Sequence, residues 1–371
     1  MHLELGQLSQ IRVDVTKEVV CSGIAVVGQR LSVGSSMMAA FGRALLIFVL
    51  MIFALEAAAS QRLDGFDVVA TPDHPFGSAS AQRALIAARR LGAKTLAIIP
   101  FLWQASPSSP EIKRGNDMSD EALRTAIRQA HRLGFSVVVK PHVWVPGSWA
   151  GAVEPVSEPS WTSWFAGYRV ELDRIARIAA AEGAEALSIG TELVKTTHRP
   201  EWYELIAAVR AAFPATLFYV AHNVEEAEAI TFWPQLDAIG VSLYPPLGAD
   251  ADRAGRIEVM RAVADRLDAL SSRYVKPIMV GEIGLRSAEG AAAKPWESAE
   301  ERVASAAPQL QADVLADWLA ALNRPSVQGV MIWRWFTDPK AGGLADTDFT
   351  VQGKPAEAVL SCAWTAVCAK P

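Results

Sequence analysis

Histidine is scarce in this chain. Among 371 residues there are six, His2, His74, His131, His142, His198 and His222. None forms the H-x-H or H-E-x-x-H spacing of a metallohydrolase, so no catalytic metal is expected. Positive charge is also short: 35 Lys and Arg face 40 Asp and Glu, for a net charge of −5. No cationic surplus exists to neutralise a phosphate backbone, which argues against nucleic acid as a partner. The G-x-S-x-G, G-x-G-x-x-G and Walker patterns are missing, which removes the simplest serine-hydrolase, dinucleotide and nucleotide readings, and no cofactor is expected. No apolar run reaches the about twenty residues that a comfortable membrane span needs.

The longest apolar run, Ala44 to Leu55, has twelve residues. Arg43 precedes it, and Ala57, Ala58, Ala59 and Ser60 follow after Glu56. A charged flank, a short apolar stretch and an A-x-A site read as an export signal, with cleavage expected after Ala59. Residues 1–59 are therefore taken as a leader, with Met37 or Met38 as a possible true start, and the mature protein is expected in the periplasm or outside the cell. An uncleaved inner-membrane anchor is the alternative, and membrane contact is expected only through it. Of three cysteines, Cys21 would leave with the leader, while Cys362 and Cys368 remain as a disulfide candidate in an oxidising compartment.

What the rest of the chain has in quantity is strand-like apolar runs separated by amphipathic stretches. Eight of the former begin at Gly65, Thr95, Ser136, Ala186, Leu217, Ala238, Pro277 and Gly329. They are continuously rich in Val, Ile and Leu, as expected of strands buried on both faces of a parallel sheet. Ser119 before Asp120 and Glu121 reads as a helix N-cap, Pro200 as a first helical position, and Gly92, Gly134 and Gly183 as left-handed helix ends. The last helix is expected over Pro355 to Val367. Eight strand-helix repeats predict a single α/β domain over residues 60–371, a (β/α)8 TIM barrel.

Polar and aromatic side chains gather where these runs end. Two of the ends are carboxylates: ALSIGTEL carries Glu192 and PIMVGEIG carries Glu282, and 282 − 192 places them 90 residues apart. A βα unit takes about thirty residues, so the two lie on strands three apart, at the C-terminal end that forms the active-site face. Two facing carboxyl groups are the minimum equipment for cleaving a glycosidic bond. One must hold a proton near neutral pH, through burial or a neighbouring negative charge, and the other must stay ionised. We assign Glu192 the first role and Glu282 the second. Tyr244, one unit before Glu282, is placed to reach its carboxylate. All twelve tryptophans lie beyond residue 100, and some are expected to line a groove where sugar rings stack.

The strings KPHVW, IGTELV, FWPQLDAIGVSLYPPL, GEIG and DFTVQGKPAEAVL together resemble glycoside hydrolase family 113, of the clan A barrels, from about Gly65 to Leu360. The resemblance implies a retaining, endo-acting hydrolase of β-linked polysaccharide, with β-1,4-mannan as the substrate class, Glu192 as acid/base and Glu282 as nucleophile. With that mechanism, the polar and aromatic residues at the strand ends, Trp103, Gln104, Lys140, His142, Asn223, Tyr244 and Trp333, are the expected substrate-binding residues, and a polysaccharide or oligosaccharide is the expected partner. Thr191 departs from many clan A enzymes, which carry Asn immediately before the acid. Two alternatives remain open: a glycosidase of bacterial exopolysaccharide or envelope glycan, and a non-catalytic glycan-binding barrel.

Overall fold

The computed structural model describes residues 62–115 and 117–368. The expected leader, its apolar run and Cys21 lie outside the described residues. Eleven strands and eight α-helices follow one another within them. The strands are β1 (Gly65–Val69), β2 (Thr95–Ile98), β3 (Phe101–Trp103), β4 (Lys113–Arg114), β5 (Ser136–Val139), β6 (His142–Trp144), β7 (Ala186–Thr191), β8 (Thr216–His222), β9 (Ala238–Leu243), β10 (Ile278–Ile283) and β11 (Val327–Phe336). The helices are α1 (Ala79–Arg90), α2 (Asp120–Arg132), α3 (Glu158–Ala181), α4 (Glu201–Ala212), α5 (Asn223–Ala229), α6 (Arg253–Tyr274), α7 (Pro308–Ala321) and α8 (Ala356–Thr365).

Eight of the strands close into a barrel in the order β1, β11, β10, β9, β8, β7, β5, β2, and every described pairing within it is parallel. This is the predicted (β/α)8 TIM barrel, and β7 and β10 stand three strands apart as the spacing required. Its lumen is filled by Ala97, Val138, Ala186, Phe218, Val220, Ala238, Met279 and Met331, which form one apolar cluster contributed by seven of the eight strands. The missing strand is β1, and its side chain at the corresponding level is a carboxylate, Asp67. The opposite faces of the strands pack with the helices into the larger core.

The local signals explain where helices begin and end. Ser119 Oγ accepts from the Ala122 amide at the start of α2, and Gly92, Gly134 and Gly183 take φ of 96°, 80° and 75° just beyond α1, α2 and α3. The final helix is shorter than predicted, ending at Thr365. Cys362 in α8 is bonded to Cys368.

Two predicted strands are each divided. TLAIIPFLW breaks at Ile99 and Pro100 into β2 and β3, and SVVVKPHVW at Lys140 and Pro141 into β5 and β6. Proline has no N–H to give to the ladder, so the barrel pairing lapses at both. Beyond the breaks, β4, β3 and β6 form a small separate sheet above the barrel mouth.

Candidate active site

The C-terminal ends of the barrel strands hold two buried carboxyl groups in different company. Glu282, near the end of β10, is 4% exposed. Its Oε1 accepts from Lys140 Nζ at 2.6 Å, and its Oε2 accepts from the Tyr244 hydroxyl at 3.2 Å. Lys140 is wholly buried in the break between β5 and β6; it also donates to the Gly281 carbonyl at 3.0 Å and pairs with Asp67 Oδ1 at 2.6 Å. One ammonium thus serves two carboxylates. Burial pulls its pKa down, but the charges of Asp67 and Glu282 prevail and hold it above its ordinary value. Asp67 goes the other way: burial pushes its carboxyl well up, and the Lys140 charge only partly opposes this while Glu282 adds to it. The Tyr244 hydroxyl is held firmly protonated, by burial first and then by the charges of Glu282, Glu192 and Asp67. It therefore acts as a donor to Glu282.

Glu192 follows directly on β7 with φ of 55°, a left-handed backbone uncommon for a residue with a side chain. Three contacts hold it there. Its amide donates to the Val220 carbonyl at 2.8 Å, the next amide, Leu193, donates to the Tyr219 hydroxyl at 2.7 Å, and its Oε1 lies 3.0 Å from His222 Nδ1. Burial pushes the Glu192 carboxyl up, but the hydrogen bond and charge of His222, with the charge of His142, outweigh it and the net shift is downward. His222 is raised in return, because the Glu192 bond overcomes the effect of burial. This corrects the sequence-based expectation that Glu192 itself would hold the raised pKa.

Behind the pair lies Glu226, a buried acid in the first turn of α5. It accepts from the Tyr219 hydroxyl at 2.8 Å and from the His222 amide. Burial pushes its carboxyl up to about 7, against the pull of those two donors. It is thereby tied to both neighbours of Glu192: to Leu193 through Tyr219, and to His222 directly.

The residues expected to meet substrate divide into three groups. Trp333 is half-buried with Lys140 Nζ 5.6 Å from its ring centroid, His142 is half-buried beside Phe101 at 6.0 Å, and Trp103 is exposed, so these three line the mouth. Lys140 and Tyr244 hold Glu282. Gln104 is a correction, since it is 1% exposed and its amide is fully engaged, accepting from Trp164 Nε1 and donating to the carbonyls of Ser106 and Pro107. Asn223 is similarly committed to the frame: at φ of 56° its Oδ1 accepts from the Tyr244 amide at 2.8 Å, and its Nδ2 lies 3.1 Å from His222 Nε2. Thr191 donates its hydroxyl to the Pro141 carbonyl at 3.1 Å and is fully buried. Asp67, Tyr219 and Glu226 escaped sequence reasoning, and His222 entered it only as one of six histidines without metal-ligand spacing. The available signal for Asp67 was an acid inside the apolar run GFDVV.

Residues 68–354 match Glycoside Hydrolase Family 113, a span that takes in both carboxyl groups and all the barrel strands from Val68 onward. The chain belongs to glycoside hydrolase family 113. It is an enzyme of the glycoside hydrolase class. Among solved structures, a GH113 β-1,4-mannanase is 26% identical with a TM-score of 0.74, over 83% of this chain and 100% of that one. The GH113 β-mannanase of Alicyclobacillus acidocaldarius, solved in complex with ManMIm, is 24% identical with a TM-score of 0.73, over 83% of this chain and 98% of that one. A β-glucuronidase from Ruminococcus gnavus shares the fold more distantly, at 14% identity and a TM-score of 0.57, and the chain spans 50% of its length. No curated protein matches the chain.

Proposed function

We propose that this glycoside hydrolase is a retaining, endo-acting β-mannanase that cleaves β-1,4-mannan by double displacement, with Glu282 as nucleophile and Glu192 as acid/base. The observation that carries the reading is the asymmetry of the two carboxyl groups. Glu282 faces a permanent cation and a phenol donor, which favour a carboxylate ready to attack. Glu192 faces an imidazole, which can exchange a proton with it. The 26% identical β-1,4-mannanase supports the substrate class.

In the first step a Glu282 oxygen attacks the anomeric carbon as the glycosidic bond breaks. The bonding pair passes to the leaving oxygen, which takes a proton from Glu192. That proton comes to Glu192 from His222 along their 3.0 Å contact, leaving the imidazole neutral. In the second step Glu192, now a carboxylate, takes a proton from water, whose oxygen attacks the anomeric carbon and releases Glu282. Lys140 and Tyr244 stabilise the carboxylate as it departs, and Trp333 offers an aromatic face to the sugar. We also infer export of the mature domain, a reading that the Cys362–Cys368 bond supports because such bonds persist in oxidising compartments.

The test is reducing-sugar release from β-mannan, glucomannan, cellulose and envelope polysaccharide. Glu282→Gln should lower kcat by about 10⁴-fold or more on every substrate that the wild type cleaves. Glu192→Gln should lose activity on polymer but keep much of it on an aryl glycoside whose leaving group needs no proton. A wild type that cleaves nothing, yet binds a glycan as well with both glutamates replaced, would establish a binding protein instead.

A further inference from the structure

The prolines that end β2 and β5 do more than close the barrel ladder, because the chain continues past each of them as β3 and β6, paired in parallel, with β4 alongside. In this small sheet Phe101 pairs with His142 and Trp103 with Trp144. Side chains alternate faces along a strand. Leu102 and Val143 turn inward and are buried, so Phe101, His142, Trp103 and Trp144 share the opposite face. Exposure rises outward along it: Phe101 and His142 are half-buried, while Trp103 is 42% and Trp144 49% exposed.

Two exposed indoles side by side are costly to leave in water, and these are held firmly from behind. Their centroids are 6.1 Å apart at 53°. Phe101 meets Trp144 edge-on at 6.1 Å. Trp103 Nε1 lies 3.4 Å from Asp117 Oδ1, and the ring lies over Gly115, where a Cβ would come within 2.3 Å of that nitrogen. Rings fixed before binding lose little freedom when a ligand stacks on them. The shelf is also continuous with the catalytic centre. Lys140, His142 and Trp144 follow one another at every second residue, Lys140 touches Glu282, and Glu192 feels the charge of His142. Four residues of extended chain put Trp144 about 13 Å from Lys140, beyond the reach of a single sugar seated on Glu282.

We propose that Trp103 and Trp144 form a distal subsite that stacks a sugar of the same β-1,4-linked mannan chain whose scissile bond lies between Glu192 and Glu282. The inference rests on the mannanase reading and adds to it a dependence on chain length. The apolar C–H face of the sugar would lie on the indoles, with its hydroxyl edge in water. The shelf thereby favours long chains over short ones.

The experiment compares wild type, Trp144→Ala and Trp144→Phe on an aryl β-mannobioside, on manno-oligosaccharides of increasing length and on polymeric mannan. Trp144→Ala should leave kcat/KM on the aryl substrate within about twofold of wild type. On the longest oligosaccharides and the polymer it should lower kcat/KM by about tenfold, mainly through KM, and Trp144→Phe should restore part of this. Equal losses on short and long substrates, or no loss on long ones, in a wild type that is active on mannan, would overturn the shelf alone. A wild type inert on mannan of every length would overturn the mannanase reading, and this inference with it.

Discussion

Glu192 and Glu282 are both buried glutamates at the ends of barrel strands, yet their surroundings differ in one decisive respect. The partners of Glu282 do not change state near neutral pH, because the Lys140 pKa is raised above its ordinary 10.5 and that of Tyr244 well above 10.0. The partners behind Glu192 do titrate there, with His222 raised above 6.5 and Glu226 pushed up to about 7. A nucleophile needs a constant environment, and a proton carrier needs a changeable one. The barrel supplies both within three strands by giving one carboxylate a lysine and the other a histidine.

The largest way to break this contrast is to remove the lysine. Lys140→Met leaves Asp67 and Glu282 buried without their cation, and one of them must then take a proton. We expect kcat to fall by about 10²- to 10³-fold and the fold to lose about 3 to 5 kcal/mol, measured by steady-state kinetics and by denaturant titration. An unchanged kcat in a stable variant would show that Lys140 does not govern the nucleophile.

Replacing His222 probes the other side with a smaller effect on rate and a larger one on pH response. With His222 raised and Glu192 lowered, the pair keeps one proton across the interval between them, so kcat/KM should decline on the alkaline side only above 6.5, the ordinary value for His. In His222→Asn the proton must reside on Glu192 alone, whose ordinary value is 4.5, raised by burial. The alkaline limb should therefore move to lower pH, and an unmoved limb would exclude His222 as the proton holder.

The smallest expected effect concerns stability at Glu226. Its folded pKa, about 7, lies above the unfolded value of 4.5. The stabilisation linked to its proton is complete below 4.5 and is lost as the pH rises through 7, by about 3 kcal/mol in all. The Tm of the wild type should fall over that interval more steeply than the Tm of Glu226→Gln. Parallel curves would mean that Glu226 is not protonated in the folded protein.

Much of this was legible in the sequence because it is local. Apolar runs in parallel-sheet style marked all eight barrel strands, and the 90-residue interval between two strand-terminal acids placed them on strands three apart. Tyr244 could be assigned to Glu282 from barrel order alone. Partnerships across the lumen were not legible, since nothing near Asp67 in the chain announces that closure brings it to Lys140. Nor does a polar residue type at a strand end reveal which way it turns. Gln104 and Asn223 have the composition of substrate contacts, but their amides are taken up by the frame. The breaks at Pro100 and Pro141 were visible as prolines, yet the apolar runs around them masked the interruption.

Lys140 immediately follows β5 and Glu282 lies on β10, strands that are four places apart around an eight-stranded ring and therefore face each other across it. Their bond is a strut spanning the bore at the level where the apolar filling stops. Such a strut is a poor way to hold a barrel together: similarly sized apolar residues in place of a buried ionic triad often leave a protein as stable, or more so by about 1 to 4 kcal/mol. Replacing Asp67, Lys140 and Glu282 together with apolar residues should then yield a barrel at least as heat-resistant as the natural one, and inert. Stability and catalysis thus oppose one another at the centre of the molecule, and the ion triad marks where the fold gave up the first for the second.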